Sequence, residues 1–321
     1  MEFDQGSGKA AGGPAPMILP TQNCTALKIS RDGTKYIYVS SDLRGNIFKV
    51  PFDPARLKLS GPPVAVTEGS REFGYLSVSP DGKSLAFSIM GIQEDLGIIG
   101  TDGKGFRKLT NDRPKDRGPS WSNDGKQIAF YSERGGNYQI WTVNTDGSGF
   151  KQISNDTSTS AIAYPIWLPG RNTIYYQRDG SGALIELRDG EPVKTTRLPD
   201  YLKETSWGGI SFSPDGRSMV GGTTRADGTS GGIVLFSTAD SSFTKILDHG
   251  DRPIWLRDGR TIVFLYAGKL RLLDVPTKQV TTLDGLPPVT AEWLFTISPD
   301  DRTIYYVKTE SEGDIWQAQV Q

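Results

Sequence analysis

Residues 119–154 read PSWSNDGKQIAFYSERGGNYQIWTVNTDGSGFKQIS, with apolar positions in four short runs separated by three polar, glycine-rich gaps. Ile128 and Phe130 are two positions apart, and side chains so spaced share one face of a strand. The Asp-Gly gap before them is turn chemistry, because aspartate can bond back to nearby backbone and glycine accepts positive φ. A second gap, NTDGSG at 144–149, reverses the third run into the fourth, FKQIS. The pattern predicts four antiparallel strands in about 45 residues, the size of one propeller blade.

Copies of this pattern recur along the chain. With Asp124 as anchor, the equivalents are Asp32, Asp81, Gly170 in the degenerate WLPGRNTIYY, Asp215, Asp258 and Asp300, the last followed by Asp301 in the glycine place. Their spacings are 49, 43, 46, 45, 43 and 42 residues, a period that marks a repeat architecture. Three positions before each anchor stand Ile29, Val78, Trp121, Trp167, Phe212, Trp255 and Ile297. Six positions after it stand Tyr38, Phe87, Phe130, Tyr176, Gly221, Phe264 and Tyr306, where Gly221 alone breaks the apolar rule. Seven anchors predict an all-β, seven-bladed β-propeller of four-stranded antiparallel blades.

The ends predict how the ring closes. The last copy stops at DIWQAQVQ, its third strand, while GGPAPMILPTQN at 12–23 resembles fourth-strand stretches such as GPPVAVTEG. The expected organisation is a flexible segment over 1–15 and a propeller over 16–321. An N-terminal strand near 16–20 would close the last blade and remove an open edge. The small polar residues four before the anchor (Ser77, Ser120, Ser211, Thr296) are expected to let adjacent sheets approach closely.

Charge and composition narrow the function. Lys and Arg total 36 against 37 Asp and Glu, a net charge of −1, which argues against nucleic-acid binding. No run approaches the about 18 apolar residues of a membrane span. Cys24 is the single cysteine, so neither an internal disulfide nor a cysteine-rich zinc site can form within this chain. The first residues, MEFDQGSGKAAGGPAPM, lack the pattern of a signal peptide.

The repeats resemble the TolB-type, WD-like propeller repeats of bacteria, whose consensus WSPDGxxIAF…IWxxxxDGxxxxxLT is matched best at 119–154 and which the chain follows over about residues 25–321. TolB itself resembles a six-bladed propeller behind an α/β domain, against the seven anchors here. The resemblance implies a bacterial, periplasmic or extracytoplasmic binding platform. Similar repeats occur in prolyl-oligopeptidase-like peptidases and in sensor kinases, which implies as an alternative the accessory or sensor propeller of a larger protein.

Catalytic constellations are not written in the chain. His249 is the sole histidine and no G-x-S-x-G occurs, so a serine triad has no base placed by motif. GSGK at 6–9 is followed by Ala10 and fails the phosphate-loop pattern, and the Asp-Gly turns lack calcium-loop spacing. No cofactor or metal is expected, and a polysaccharide lyase or hydrolase is the weaker alternative. The informative residues precede each blade's first strand: Tyr75, Asp116, Arg117, Tyr164, Trp207, Asp251, Arg252, Glu292 and Trp293. Aromatics and arginines at a concave mouth make protein-binding hot spots. The expectation is a monomeric, non-enzymatic scaffold binding a protein or peptide there, with Trp121, Trp167 and Trp255 buried and Trp207 and Trp293 partly exposed.

Overall fold

The computed structural model describes residues 2–3, 10–11, 24–31, 35–69, 71–157, 162–178, 181–201, 205–287 and 295–319. These fall into two compact units, Gly45–Thr309 and the pair of segments Met1–Arg44 and Glu310–Gln321. In the smaller unit Cys24–Ile29 pairs antiparallel with the start of Lys35–Asp53, from Cys24 opposite Ser40 to Ile29 opposite Tyr36.

The larger unit is a propeller of six four-stranded antiparallel blades, not seven. Blade 1 is Glu72–Val78, Ser84–Met90, Asp95–Gly100 and Arg107–Lys108; blade 2 is Asp116–Trp121, Gln127–Ser132, Gln139–Asn144 and Lys151–Gln152. Blade 3 is Ala163–Trp167, Thr173–Arg178, Ser181–Arg188 and Glu191–Arg197; blade 4 is Thr205–Phe212, Ser218–Arg225, Ser230–Ser237 and Phe243–Leu247. Blade 5 is Asp251–Trp255, Thr261–Tyr266, Lys269–Asp274 and Gln279–Thr282.

Blade 6 explains the miscount. Its two inner strands, Phe295–Ile297 and the start of Thr303–Gln319, belong to the Asp300 copy. Its two outer strands, the Gly45–Asp53 part of Lys35–Asp53 and Val64–Ala65, come from the Asp32 copy. Two of the seven copies are thus consumed in one sheet, because a two-stranded remnant at either end would leave an open edge. The Phe52 N–H donates to the Arg302 carbonyl at 2.8 Å, and the Phe48 and Tyr306 rings stack at 5.8 Å. The closing segment expected near 16–20 lies outside the described residues.

Packing follows from the two-residue period. Leu85, Phe87, Ile128, Phe130, Ile174, Tyr176, Met219, Ile262, Phe264, Ile304 and Tyr306, from the columns four and six after the anchor, are buried. The alternate residues Ala86, Ala129, Tyr175, Val220, Val263 and Tyr305 are buried too. Each second strand therefore has two apolar faces, and each face needs a neighbouring sheet. Six hydrophobic clusters fill the six gaps between blades, the last joining Ile47, Tyr305 and Val307 of blade 6 to Phe73, Leu85 and Phe87 of blade 1. Burying one such side chain contributes roughly 1.5–3 kcal/mol.

Gly221 marks a local solution to this packing rule. A Cβ there would lie 2.7 Å from the Trp207 indole nitrogen and 2.2 Å from the Gly208 carbonyl oxygen. Trp207, expected at the mouth, is instead 0% exposed and packs with Tyr175, Phe212, Met219 and Phe236. Its indole fills the space that a phenylalanine or tyrosine occupies in the other blades. Of the three tryptophans expected to be buried, Trp167 is, while Trp121 and Trp255 are half-buried. Their column flanks the central channel, which Val78, Trp167 and Phe212 line.

Charged latches tie successive blades together. Arg134 of blade 2 donates to Asp112, beyond the last strand of blade 1, at 2.8 Å and to Asp116 at 2.6 Å. Arg178 of blade 3 donates in the same way to Asp156, beyond the last strand of blade 2, at 2.8 Å.

The anchor turns repeat one hydrogen-bonded design. The Ser79 hydroxyl donates to Asp81 Oδ1 at 2.6 Å, and the same oxygen accepts the Lys83 N–H at 3.0 Å. Ser122 with Asp124, Ser213 with Asp215, and Ser298 with Asp300 repeat it. Asp301, in the glycine place, adopts φ 59° and accepts the Arg257 N–H at 2.6 Å. These serine hydroxyls, foremost, hold Asp81, Asp124, Asp215 and Asp300 below the ordinary carboxylate value of 3.8. A carboxylate depressed by folding stabilises above its unfolded pKa, and that contribution is lost as pH falls through the folded value. Burial pushes Asp116, Asp251 and Asp301 up, and these work in the opposite sense, destabilising as pH rises through 3.8.

Two outcomes follow. Ser79→Ala combined with Ser122→Ala should flatten the loss of stability between about pH 5 and about pH 2 in denaturant melts; an unchanged slope would contradict the turn assignment. Trp207→Ala should cost about 3–5 kcal/mol, the range for a large aromatic leaving a core. A cost under about 1 kcal/mol would show that the indole is not filling the blade 4 core.

Candidate functional site: the channel of the propeller

The first strands of blades 1 to 5 each carry an irregularity in their pairing. Pairing slips between Gly74 and Ser77, Arg117 and Ser120, Ala163 and Ile166, Gly209 and Ser211, and Asp251 and Ile254. Such bulges bend a strand and re-aim its side chains. Six positions before the anchor, inside four of these bulges, the backbone is left-handed: Tyr75 at φ 53°, Gly118 at 62°, Tyr164 at 54° and Arg252 at 55°. Gly118 is the low-cost choice, and it is also required, since a Cβ would lie 2.7 Å from the Tyr131 ring. The three non-glycine residues hold a sparsely populated conformation that costs on the order of 1–3 kcal/mol each.

All three line one cavity of about 680 Å³ inside the larger unit. Tyr75 and Tyr164 meet with ring centroids 5.8 Å apart, and Tyr131 stands behind them at 6.3 and 5.4 Å. The Arg252 guanidinium lies over the Tyr164 ring at 5.7 Å. Tyr138 extends the cluster, 5.5 Å from Tyr131. Burial pushes the phenols of Tyr131 and Tyr164 up, so both stay protonated at neutral pH.

Most of the wall is neutral. The residues four before the anchor face the cavity: Ser77, Ser120, Ser211 and Thr296, with Ile166 in blade 3 and Ile254 in blade 5. Their small size therefore serves the channel as well as the packing of the sheets. Gln177, Gly208 and Gly222 add to the wall, and a Cβ on Gly222 would meet only Asp251 Oδ1, at 3.9 Å. Asp251 and Arg252 are the charged residues among those described as lining the cavity. Burial raises the Asp251 carboxyl, against the Ser230 hydroxyl and the Arg252 charge, which lower it.

The expected site residues thus divide. Tyr75, Tyr164, Asp251 and Arg252 come together in one cavity. Arg117 turns away to Glu94, with its Nη2 2.6 Å from Oε1, and its guanidinium lies 5.9 Å from the Tyr138 ring. Asp116 is 0% exposed beneath Arg134, and Trp207 is core. Glu292 and Trp293 lie outside the described residues. Tyr131, Tyr138, Gln177 and the serines of the wall were not anticipated as site residues; the small residues Gly118 and Gly209, in the column that also holds Tyr75, Tyr164 and Arg252, were their one signal.

Comparison with known proteins agrees with this architecture. Residues 75–206 match the family model of the TolB beta propeller domain. An uncharacterized protein of Agrobacterium fabrum is 33% identical over 144 residues, 41% of this chain and 45% of that protein. Dipeptidyl-peptidase 5 of Porphyromonas gingivalis is 31% identical over 72 residues, 20% of this chain and 10% of the peptidase. The chain therefore matches less than half the length of either. Among solved structures, a putative TolB from Agrobacterium tumefaciens superposes with TM-score 0.66 at 20% identity, covering 84% of this chain and 99% of that one. An oligogalacturonate lyase in complex with manganese superposes with TM-score 0.56 at 12% identity, covering 89% and 96%. At these identities the two structures show a shared fold.

The left-handed backbone at position 252 has a measurable signature. In an ordinary strand glycine is worse than alanine by roughly 0.5–1 kcal/mol. Here Arg252→Gly should be the more stable of the two by about 1 kcal/mol, because alanine pays for the positive φ. Denaturant melts in which Arg252→Ala is the more stable would remove the strained bulge from the account.

Proposed function

We propose that this propeller of TolB type is a non-enzymatic scaffold that binds a protein or peptide at the channel opening, where Tyr75, Tyr164 and Arg252 converge. The observation that carries the reading is the left-handed bulge. Three blades keep a bulky residue where glycine would relieve strain, and all three aim it into one cavity. Tyrosine and arginine are the residues enriched where a partner is gripped. The cavity wall offers hydroxyls, an amide and two opposite charges, which suits the mixed polarity of a polypeptide.

A non-enzymatic role draws support from what faces the cavity. Asp251 is the acidic residue on the described wall, and His249, the sole histidine, packs against Tyr266 at 4.2 Å. Among the described residues no group of three or more histidine, cysteine, aspartate or glutamate side chains is placed to hold a metal ion. The alternative of an accessory propeller in a larger protein draws on the short similarity to the peptidase; it changes the context of the site and leaves its chemistry as described.

Pull-down from the native host followed by titration tests the reading. Tyr75→Ala with Tyr164→Ala should weaken a captured partner at least about tenfold, the scale of one or two hot-spot residues, with the fold intact by circular dichroism. Retained affinity in a folded double variant would move the binding surface elsewhere.

A further inference from the structure

We propose that the cavity receives the free C-terminal end of a polypeptide, gripped by Arg252 through its carboxylate and by Asp251 through its last N–H. The inference rests on the peptide-binding reading and specifies which part of the partner enters.

The argument begins with the bulge in blade 5. Consecutive residues of a regular strand point to opposite faces, so Asp251 and Arg252 should part company. The slip between Asp251 and Ile254, with Arg252 at φ 55°, brings both to the same cavity. A cation and an anion are thereby presented side by side in a wall that is otherwise neutral.

The terminal residue of a chain complements that pair. Its carboxylate and its own N–H flank a single Cα, so the acceptor and the donor sit as close together as adjacent side chains do. Guanidinium binds carboxylate through charge-assisted hydrogen bonds, the strong kind, and the Asp251 carboxylate accepts the N–H. An amino terminus would satisfy Asp251 and set its own positive charge against Arg252. The side-chain carboxylate of an internal acidic residue is set off from its backbone N–H by one or two methylenes and does not match the pairing.

The surroundings fit the same occupant. Tyr75 and Tyr164, their rings 5.8 Å apart, line the same cavity and bring aromatic surface to the last side chain. Gly208, covered by the Gln177 side chain, pairs with Gly222 in blade 4, and the space beside Gly222 leads to Asp251. A bare glycine such as Gly222 marks a place where another backbone comes close.

Two pools of synthetic peptides decide the matter. They share randomised sequences ending in an apolar residue and differ only in a free carboxylate or an amide at the C-terminus; fluorescence anisotropy reads binding to the full chain. The free-acid pool should bind at least about tenfold tighter, the scale of a charge-assisted contact. Arg252→Gln should bring it down to the amide level, and Asp251→Asn should weaken both pools. Equal binding of the two pools, abolished by Tyr75→Ala with Tyr164→Ala, would overturn the chain-end proposal and leave the peptide site standing. Binding confined to peptides with an internal aspartate, lost on change to asparagine, would likewise overturn it. Failure of both pools to bind would remove the peptide site and the chain-end proposal together. The acid-against-amide comparison is made on the unaltered protein, so it holds even where a variant fails to fold.

Discussion

The second strand of every blade is apolar on both faces, and the rest of the structure depends on that. A sheet of this kind cannot stop: Phe87 must be covered on one side and Ala86 on the other, and the covering sheet has the same need. Closure into a ring is the arrangement that satisfies every blade. The hydrophobic contribution is large and non-directional, so the angular precision comes from elsewhere. The Ser-x-Asp turns fix the hairpins, and Asp112 with Arg134 and Asp156 with Arg178 tie neighbouring sheets at their rims.

Within that frame the channel is the one place where the repeat is free to vary. Residues four and six after the anchor are buried between the sheets, whereas those four and six before it also face the lumen. The column four before holds hydroxyls in four blades and isoleucine in two; the column six before holds two tyrosines, an arginine and glycines. Rigid scaffolds commonly carry function on such irregular positions. The strain held at Tyr75, Tyr164 and Arg252 persists because the flanking ladder, on both sides of each bulge, over-determines the backbone.

Much of the fold was legible in the sequence. The period of two in Ile128 and Phe130, the Asp-Gly turns and their regular spacing gave the four-stranded blades and the buried columns. The blade count was not legible, because a turn motif reports a hairpin and says nothing of which sheet the hairpin joins; the Asp32 and Asp300 copies share one blade. Trp207 was misplaced for a related reason. Gly221 stood out as a gap in the aromatic column, but the residue that fills it lies fourteen positions earlier in a paired strand. Tyr75, Tyr164, Asp251 and Arg252 were found by register alone, while Asp116 and Arg117, equally placed by register, were drawn off by Arg134 and Glu94. Left-handed backbone marks Tyr75, Tyr164 and Arg252, and no residue identity announces it outside glycine; Asp251 and Arg117 share one register position and differ in their partners.

Blade 6 joins Phe52 to Arg302, residues about 250 positions apart. During synthesis from the N-terminus, Gly45–Asp53 and Val64–Ala65 leave the ribosome long before their partners exist. Blade 1 must wait with them, since among the described residues the face it turns to blade 6 is covered by Ile47, Val66, Tyr305 and Val307. The entropic penalty of closing so long a loop grows only logarithmically with its length, but contacts of this range are the last to form and the slowest. The propeller therefore passes through a period as an open arc with two apolar ends, each a template for the other end of the same chain or of a neighbouring one. The interaction that makes the finished ring stable is also the one that exposes the unfinished ring to exchange of segments between molecules.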